Sequence, residues 1–420
     1  MSLQLRPRIA TQSTFWAPES LLNGWQDVQI EQCALTAFFR NYTVSPADHS
    51  LSGGYLDGLQ FLLNEAKPQS EMLQASTVIA LASLGNRRNI YPLLVRARLL
   101  YLNLLRSFNA TLSSDSASKN VVQQFTTAIL LGLYEIITAD VANSKNHIAH
   151  ARGIAAILNT TTSPVDLANS GKLFHIANAL WYHDPLNFQR PKSLAVVCDR
   201  FSINTCPAVN TIVSDIHPVL QDAEVILASP SALSDDLRTV LQKVIILDKE
   251  FSKWVLRQPD AWQPRSLRSE IGPSLSYPSW WPGRLDVYLD LYVAAAWNVF
   301  RKTRLMLLDI MVRCLSRLQE KDTYGQKQAE ATALAYQIMA SIPFHVADNV
   351  ETLSELGHST TVTVNPGRAV GGLLLMHPLY VAANLSIVPR HLQDQMRDCL
   401  AWIGENMGIG QAAVFSKVST

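Results

Sequence analysis

Apolar residues recur at helical spacing along much of the chain. The clearest stretch is 93–108, where apolar side chains stand three or four positions apart and so share one helix face. The stretch 121–138 is apolar on almost every side, which is typical of a helix in the middle of a bundle. Similar periodicity predicts further helices over 301–318, 329–342 and 391–407.

Polar and proline-rich segments separate these predicted helices. Residues 111–120 form a polar turn cluster, and 159–170 and 258–282 are predicted to be longer loops. Alternating β-branched runs are nearly absent, and no period of roughly 30 to 50 residues recurs. We therefore predict an all-α fold, a large multi-helix bundle of about a dozen or more helices. We predict a single helical domain over 1–420 and leave open whether it is subdivided near 159–170.

The charge balance limits what this fold can bind. There are 35 Lys and Arg residues against 34 Asp and Glu, so no basic excess is available to release counterions from a phosphate backbone. We expect no direct nucleic acid binding. Hydrophobic residues make up 48% of the chain and charged residues only 16%, which indicates a large apolar interior.

Metal and cofactor chemistry has little support in the sequence. A binuclear zinc cluster uses six closely spaced cysteines. This chain has five, at Cys33, Cys198, Cys206, Cys314 and Cys399. It contains no Gly-x-Ser-x-Gly elbow, no Gly-x-x-x-x-Gly-Lys phosphate loop, no Gly-x-Gly-x-x-Gly dinucleotide motif and no His-Glu-x-x-His pair. We predict that the protein uses no metal and no cofactor.

No targeting or membrane-spanning segment is predicted. The first residues contain no unbroken apolar run followed by a small-residue cleavage site, as a secretory signal would require. The most apolar stretch, 371–383, is interrupted by His377 and Pro378 and is shorter than the roughly 20 residues that span a bilayer. We expect no contact with a membrane.

Six short segments follow one another in a recognisable order. The segment TTAILLGLYEII (126–137) is a leucine-rich helix ending in Leu-Tyr-Glu and Ile-Ile, and HIAHARGIAAIL (147–158) follows it closely. The others lie at 295–308, 340–346, 371–383 and 402–412. Their order and spacing resemble the effector domain of the fungal-specific zinc-cluster transcription factor family, here without the zinc-cluster DNA-binding segment. The resemblance implies a helical regulatory domain that responds to a ligand or a coactivator.

Two positions depart from that family's pattern. His147 and His377 stand where the family usually has tryptophan, and an imidazole in a dry core is costly unless it gains a partner. His150 lies three positions after His147, on the same predicted helix face. We predict that His147, His150, Arg301 and His377 form a catalytic group in a shared pocket, where an imidazole or guanidinium hydrogen-bonds a substrate carbonyl. A hydrogen-bonded helix face is the alternative for the first two.

A second set of residues is predicted to line the same pocket. Aromatic and titratable side chains just before Pro185 would supply an apolar wall. A tryptophan pair in the proline-rich loop would form a lid, and polar residues at every third position of a helix would supply hydrogen-bond donors. These predicted substrate-binding residues are His175, Trp181, His183, Trp280, Trp281, Asn298 and Arg304. The structural alternatives are a helix C-terminus, isolated exposed aromatic residues and buried hydrogen bonds that hold helices together.

Two functions remain open at this point. The first is a cofactor-independent biosynthetic enzyme, a pericyclase of the Diels-Alderase type that cyclises an apolar terpenoid or polyketide intermediate of secondary metabolism. Preorganisation in an apolar pocket would supply such catalysis without a motif. The alternative is a transcriptional regulator or co-regulator of a fungal gene cluster that acts through a DNA-binding partner. The two Trp-to-His replacements favour the enzyme. We expect a cytoplasmic protein, or a nuclear one if the alternative holds.

Overall fold

Thirteen α-helices make up most of the part of the chain that the structure describes. The structure is a computed structural model, and it describes residues 26–46, 48–113, 121–160, 207–267, 278–348, 350 and 364–418. The helices are α1 (Asp27–Tyr42), α2 (Leu59–Glu65), α3 (Glu71–Arg88), α4 (Tyr91–Leu112), α5 (Val121–Ile137), α6 (Asn146–Thr160), α7 (Pro207–Ala228), α8 (Ser234–Leu256), α9 (Leu291–Leu318), α10 (Lys321–Val346), α11 (Ala369–Asn384), α12 (Arg390–Met407) and α13 (Gly410–Phe415). A 3-10 turn (Asp260–Trp262) and strands β1 (Arg265–Leu267) and β2 (Leu285–Val287) lie between α8 and α9. The predicted all-α multi-helix bundle is confirmed.

The two short strands fall in and next to the predicted loop at 258–282. Strands β1 and β2 pair antiparallel, with Ser266 opposite Asp286. The Ser266 hydroxyl donates to Asp286 Oδ1 at 2.7 Å, and the Arg284 guanidinium donates to both oxygens of the same carboxylate. The predicted loop therefore contains regular structure. Strands of three residues are too short to show alternation in the sequence.

The helices pack in two groups that share one core. In the first group α1, α4 and α5 pack against α3, and α6 packs against α5. In the second α7, α8, α10 and α11 pack against α9, while α12 packs against α11 and α13 against α12. Contacts of α5 with α13 and of α3 with α12 join the groups, whose buried side chains form one continuous hydrophobic cluster.

Helix α9 is enclosed on nearly every side. Its 28 residues include neither glycine nor proline, so nothing in the sequence interrupts the helix. The Asp290 side chain caps the first turn by accepting a hydrogen bond from the Val293 backbone N–H at 2.9 Å. Buried residues occur from Tyr292 to Leu315. The polar side chains of α9 must therefore find their partners on neighbouring elements rather than in water.

Helix α11 continues through a proline. The apolar stretch that contains His377 and Pro378 lies in this helix, which is unbroken from Ala369 to Asn384. Its packing against α9, α10 and α12 offsets the hydrogen bond that the proline cannot donate. Of the helices described, none combines the length and the apolar character needed to cross a bilayer.

The backbones of α10 and α11 come closest at Gly371. A Cβ atom at this position would lie 1.8 Å from the His345 carbonyl oxygen. We therefore expect Gly371→Ala to lower the free energy of unfolding by at least about 2 kcal/mol. Gly325 is the matched control, since a Cβ there would meet nothing within 4 Å. Gly325→Ala should raise stability by about 0.5–1 kcal/mol. Urea denaturation of both variants checks this, and equal stabilities would contradict it.

Candidate functional site

Arg301 lies at the centre of a buried polar cluster on α9. Its side chain is 1% exposed, and its Nη1 donates to Tyr288 Oη at 2.8 Å and to Asn298 Oδ1 at 3.0 Å. The guanidinium carbon lies 5.6 Å from the Tyr288 ring centroid and 5.5 Å from that of Trp297. These partners are all neutral. Among the described residues, the buried Arg301 Nε has no hydrogen-bond partner.

This arrangement leaves a guanidinium charge in the core with hydrogen bonds and aromatic faces but no paired carboxylate from the described residues. Cation–π contacts offset part of the desolvation cost, on the order of 2 kcal/mol when the contact is dry. An acidic partner would offset more, because the attraction between opposite charges is strong in a low-dielectric interior. Among the described residues, Arg301 therefore departs from the rule that buried charges are paired.

Arg301 also fixes the hydrogen bonds beyond it. Because Asn298 Oδ1 accepts from Arg301, the Asn298 amide nitrogen faces Ser341 Oγ at 2.8 Å and His345 Nε2 at 3.1 Å. His345 Nε2 must then accept, which leaves the hydrogen on Nδ1 to be donated to the Gly371 carbonyl oxygen at 3.2 Å. Burial, and secondarily the Arg301 charge, lower the pKa of His345 to about 3, so the ring is neutral.

His377 occupies a neighbouring but separate contact on α11. Its Nδ1 lies 3.3 Å from Nζ of Lys302, and both side chains are buried. An ammonium group can only donate, so His377 Nδ1 is the acceptor. The His377 ring lies 6.4 Å from the Tyr380 ring and 6.5 Å from the Phe415 ring, centroid to centroid. The contact thus joins α9, α11 and α13.

His150 belongs to a third cluster, between α4, α5 and α6. The Tyr101 hydroxyl donates to Glu135 Oε1 and lies 3.0 Å from His150 Nε2, and the Asn146 amide donates to Glu135 Oε2 at 3.2 Å. Since the single hydroxyl hydrogen goes to the carboxylate, His150 Nε2 carries a hydrogen and donates to Tyr101. Burial, followed by the nearby His147, lowers the pKa of His150 to about 4. Burial and the Glu135 carboxylate raise the pKa of Tyr101.

Arg304 continues the polar row of α9 with ordinary ion pairs. Its guanidinium donates to Asp248 on α8, with Nε 2.7 Å from Oδ1, and to Glu330 on α10, with Nη2 3.2 Å from Oε2. Asn298 and Arg304 thus hold neighbouring helices together, as the structural alternative supposed. A role for either residue in binding a substrate stays a prediction.

The predicted tryptophan lid lies in the core. Trp280 and Trp281 are buried, and their ring centroids lie 6.1 Å apart, while the Trp280 ring meets that of Trp402 at 5.3 Å. They are packed inside the fold, where Trp280 contacts α12, rather than standing free over a surface. Whether they line a substrate pocket stays a prediction. His175, Trp181 and His183 lie outside the described residues.

The four predicted catalytic residues therefore have different neighbourhoods. His150 contacts Tyr101, Arg301 contacts Tyr288 and Asn298, and His377 contacts Lys302. His147 lies next to His150 and influences its pKa. A pocket shared by all four stays a prediction. Within the described ranges, no group of three or more His, Cys, Asp or Glu residues is placed to hold a metal ion.

The sequence analysis missed several members of these clusters. Glu135 is the one acidic residue in the apolar helix α5, and Lys302 follows Arg301 directly in a helix whose residues are mostly buried. Both were signals of buried hydrogen bonding, since charged residues are rarely buried without a partner. Tyr101 and Tyr288 gave no such signal, because a tyrosine in the sequence is as consistent with apolar packing in a core as with a polar cluster.

Comparison with known proteins shows similarity over nearly the whole chain. "Transcription factor dbaG" of Emericella nidulans is 34% identical over 406 residues, which cover 93% of this chain and 92% of that protein. No family model matches the chain. No solved structure matches it either.

Arg301 and Arg304 offer a matched pair of substitutions on one helix. Arg304→Met leaves the Asp248 carboxylate without its cation, while Glu330 keeps its pair with Lys327, so we expect it to lower the free energy of unfolding by at least about 2 kcal/mol. Arg301→Met removes an unpaired buried charge, and stability should change by no more than about 1 kcal/mol. Denaturant unfolding of both variants checks the contrast. A larger loss for Arg301→Met would show that its neutral contacts dominate.

His345 generates a prediction about pH. Its folded pKa, lowered to about 3, lies below the ordinary 6.5, so the unfolded chain binds a proton that the folded protein refuses. Stability should therefore fall as pH drops below 6.5, by up to about 1.4 kcal/mol per pH unit for this group. His345→Gln should flatten that slope, whereas the same change at the exposed His391 should not. Unfolding curves measured between pH 4 and 7 test this, and identical slopes for His345→Gln and wild type would refute it.

Proposed function

The chain belongs to the family of the fungal transcription factor dbaG, and from this membership we propose that it is a transcriptional regulator acting through a DNA-binding partner. The observation that carries the proposal is the extent of the similarity, which runs through nearly the full length of both proteins. A match of this extent includes the helices of both packing groups. The two chains therefore share a whole helical body rather than one motif.

The proposed route through a partner rests on charge and cysteine content. With 35 basic and 34 acidic residues, these 420 residues offer no electrostatic excess for a phosphate backbone. Five cysteines also fall short of the six that a binuclear zinc cluster uses. A second protein would then supply the DNA contacts, and the complex would act in the nucleus on a set of fungal genes. These features support an effector role of the kind that the resemblance to zinc-cluster regulators implies.

We assign the Arg301 cluster to the response of this domain to a ligand or a partner. An apolar side chain would fill the same space without the cost of a buried charge, so packing alone does not require an arginine there. Local departures from the rules of stable cores are often found at functional positions. Such a charge would interact strongly with a small anionic ligand. Its interactions would also respond strongly to a change in the partner-bound state.

The enzyme interpretation has less support than the regulator. The relative is named as a transcription factor, and nothing in that name points to cyclisation of a terpenoid or polyketide. The contact of His377 with Lys302 also accounts for one of the two departures from the family pattern by hydrogen bonding within the fold. We therefore prefer the regulator, which the sequence alone had ranked second.

Deleting the gene in its native fungus separates the two functions. We expect the transcripts of a set of genes, including neighbours of the deleted gene, to fall together, and the wild-type chain supplied from another locus to restore them. Transcript sequencing and metabolite profiling of the same cultures give the readout. Accumulation of one uncyclised intermediate with unchanged transcripts would overturn the proposal in favour of the enzyme.

A further inference from the structure

Helix α4 exposes an apolar stripe on the side that faces away from the core. The stripe consists of Tyr91, Val95, Leu99 and Leu102, whose side chains are 73%, 41%, 60% and 43% exposed. Their spacing of four, four and three residues places them on one face of the helix. The opposite face is buried and holds the helix in place, through Leu93, Ala97, Tyr101, Leu104 and Phe108.

The stripe is long enough to receive a helix of similar length. From Tyr91 to Leu102 the helix rises about 16 Å, or three turns. Single exposed apolar residues are common on protein surfaces and need no explanation, but a row of four large side chains on consecutive turns is the form that recognition surfaces take. Because α4 is fixed by its buried face, the stripe is presented by a rigid element.

Positive charge borders the stripe, and α4 itself contains no acidic residue. Arg98 stands three residues after Val95 and four before Leu102, and Arg106 stands four after Leu102, so both lie beside the apolar row. Both are exposed, and neither forms an ion pair with a described acidic residue. Arg96, by contrast, is engaged by Asp27 and Glu31 of α1.

We propose that this stripe is the docking surface for an amphipathic helix of a partner protein, one with large apolar side chains along one face and Asp or Glu residues beside them. The apolar side chains would cover the four stripe residues, and the carboxylates would pair with Arg98 and Arg106. The inference rests on the proposed function, since it names the chemistry of the partner through which the regulator acts. It adds which face of the fold the partner occupies.

Charge decides against a second copy of the chain on this face, and the small apolar area decides against a membrane. A second copy of the chain meeting this stripe through a twofold axis would bring two Arg98 and two Arg106 side chains together, and like charges at an interface are unfavourable. An anionic membrane would suit the arginines, but four side chains on a helix already fixed to the core offer little apolar area for insertion. An acidic helix satisfies both the apolar row and the charges.

Binding of a designed peptide to the full chain tests the proposal. The probe is a fluorescent amphipathic helix of about four turns with leucines on one face and glutamates beside them, and its control has lysines in place of the glutamates. We expect the full chain to bind the acidic peptide and not the basic one, with affinity that weakens as salt is added. Fluorescence anisotropy provides the readout.

Substitutions locate the binding on the stripe. Leu99→Asp should weaken binding of the acidic peptide at least about tenfold, because it places a charge at the centre of the contact. Leu256→Asp is its matched control, since Leu256 is 86% exposed at the end of α8. Replacing Arg98 and Arg106 together by Glu should reverse the preference toward the basic peptide, whereas Arg390→Glu at the start of α12 should not. Denaturation midpoints equal to wild type verify that each variant folds.

Several outcomes would overturn the proposal. They are equal binding of the acidic and basic peptides, no binding of either, and equal effects of Leu99→Asp and Leu256→Asp. Self-association of the wild-type chain that Leu99→Asp abolishes would assign the stripe to a second copy. Binding to vesicles of anionic phospholipid that depends on Leu99, with no binding of the acidic peptide, would assign it to a membrane.

A test in cells separates this inference from the proposed function. The Leu99→Asp chain should fail to restore transcripts in the deletion strain, while the Leu256→Asp chain restores them. If deletion lowers the transcripts and the Leu99→Asp chain restores them fully, the docking surface is wrong and the regulator stands. If deletion leaves all transcripts unchanged, the proposed function fails, whatever the peptide binds.

Discussion

The near-complete burial of α9 is the constraint on which the arrangement of the other helices depends. A helix enclosed by neighbours has no water for its polar side chains, so each must be satisfied by a specific partner. Asn298 finds Ser341 and His345 on α10, and Arg304 finds Asp248 on α8 together with α10. Farther along, Asp309 accepts from Ser386 just beyond α11. These contacts set the register of α8, α10 and α11 against α9. Apolar packing alone specifies such a register less strictly.

The Arg301 charge organises this interior by orienting dipoles. Its donation to Asn298 sets the direction of the amide, the amide sets the tautomer of His345, and the imidazole reaches the backbone of α11 at Gly371. The same glycine permits the close approach of α10 and α11. A charge with no counter-ion among the described residues thus determines the hydrogen bonding of two neighbouring helices. We regard this as specificity gained at the expense of stability, a trade that buried polar groups make in some proteins.

Periodicity predicted α4 and α5 closely, but it placed the starts of α9 and α10 at 301 and 329, whereas these helices begin at Leu291 and Lys321. Helix α4 has one buried and one exposed face, and α5 is apolar on almost every side, so both were predicted within a few residues of their observed bounds. Strand β1 was not, because three residues carry no period. The partners in the polar clusters were not predictable either. Tyr101, Glu135 and His150 lie on three different helices, and only tertiary packing brings them together.

Sequence resemblance led to the family because packing residues are spread along the whole chain, and the same feature explains why it could not decide between the two functions. Residues that hold helices together identify a fold, and a fold can carry unrelated functions. The two histidines that stand in place of tryptophan suggested new chemistry. In the structure the second of them, His377, makes a hydrogen bond with Lys302 inside the core. A titratable residue in an apolar segment therefore indicates buried hydrogen bonding before it indicates catalysis.

Helix α4 connects the interior of the fold to its surface. Tyr101 on its inner face hydrogen-bonds Glu135 and lies against His150, while the next residue, Leu102, belongs to the exposed stripe. A rigid helix cannot shift one face without the other, because close-packed interiors transmit displacement. Any movement of α4 by a bound partner therefore changes the distances from the Tyr101 hydroxyl to Glu135 and His150. Since the Glu135 carboxylate also accepts from Asn146 at the start of α6, such a movement extends from the surface of α4 to α6.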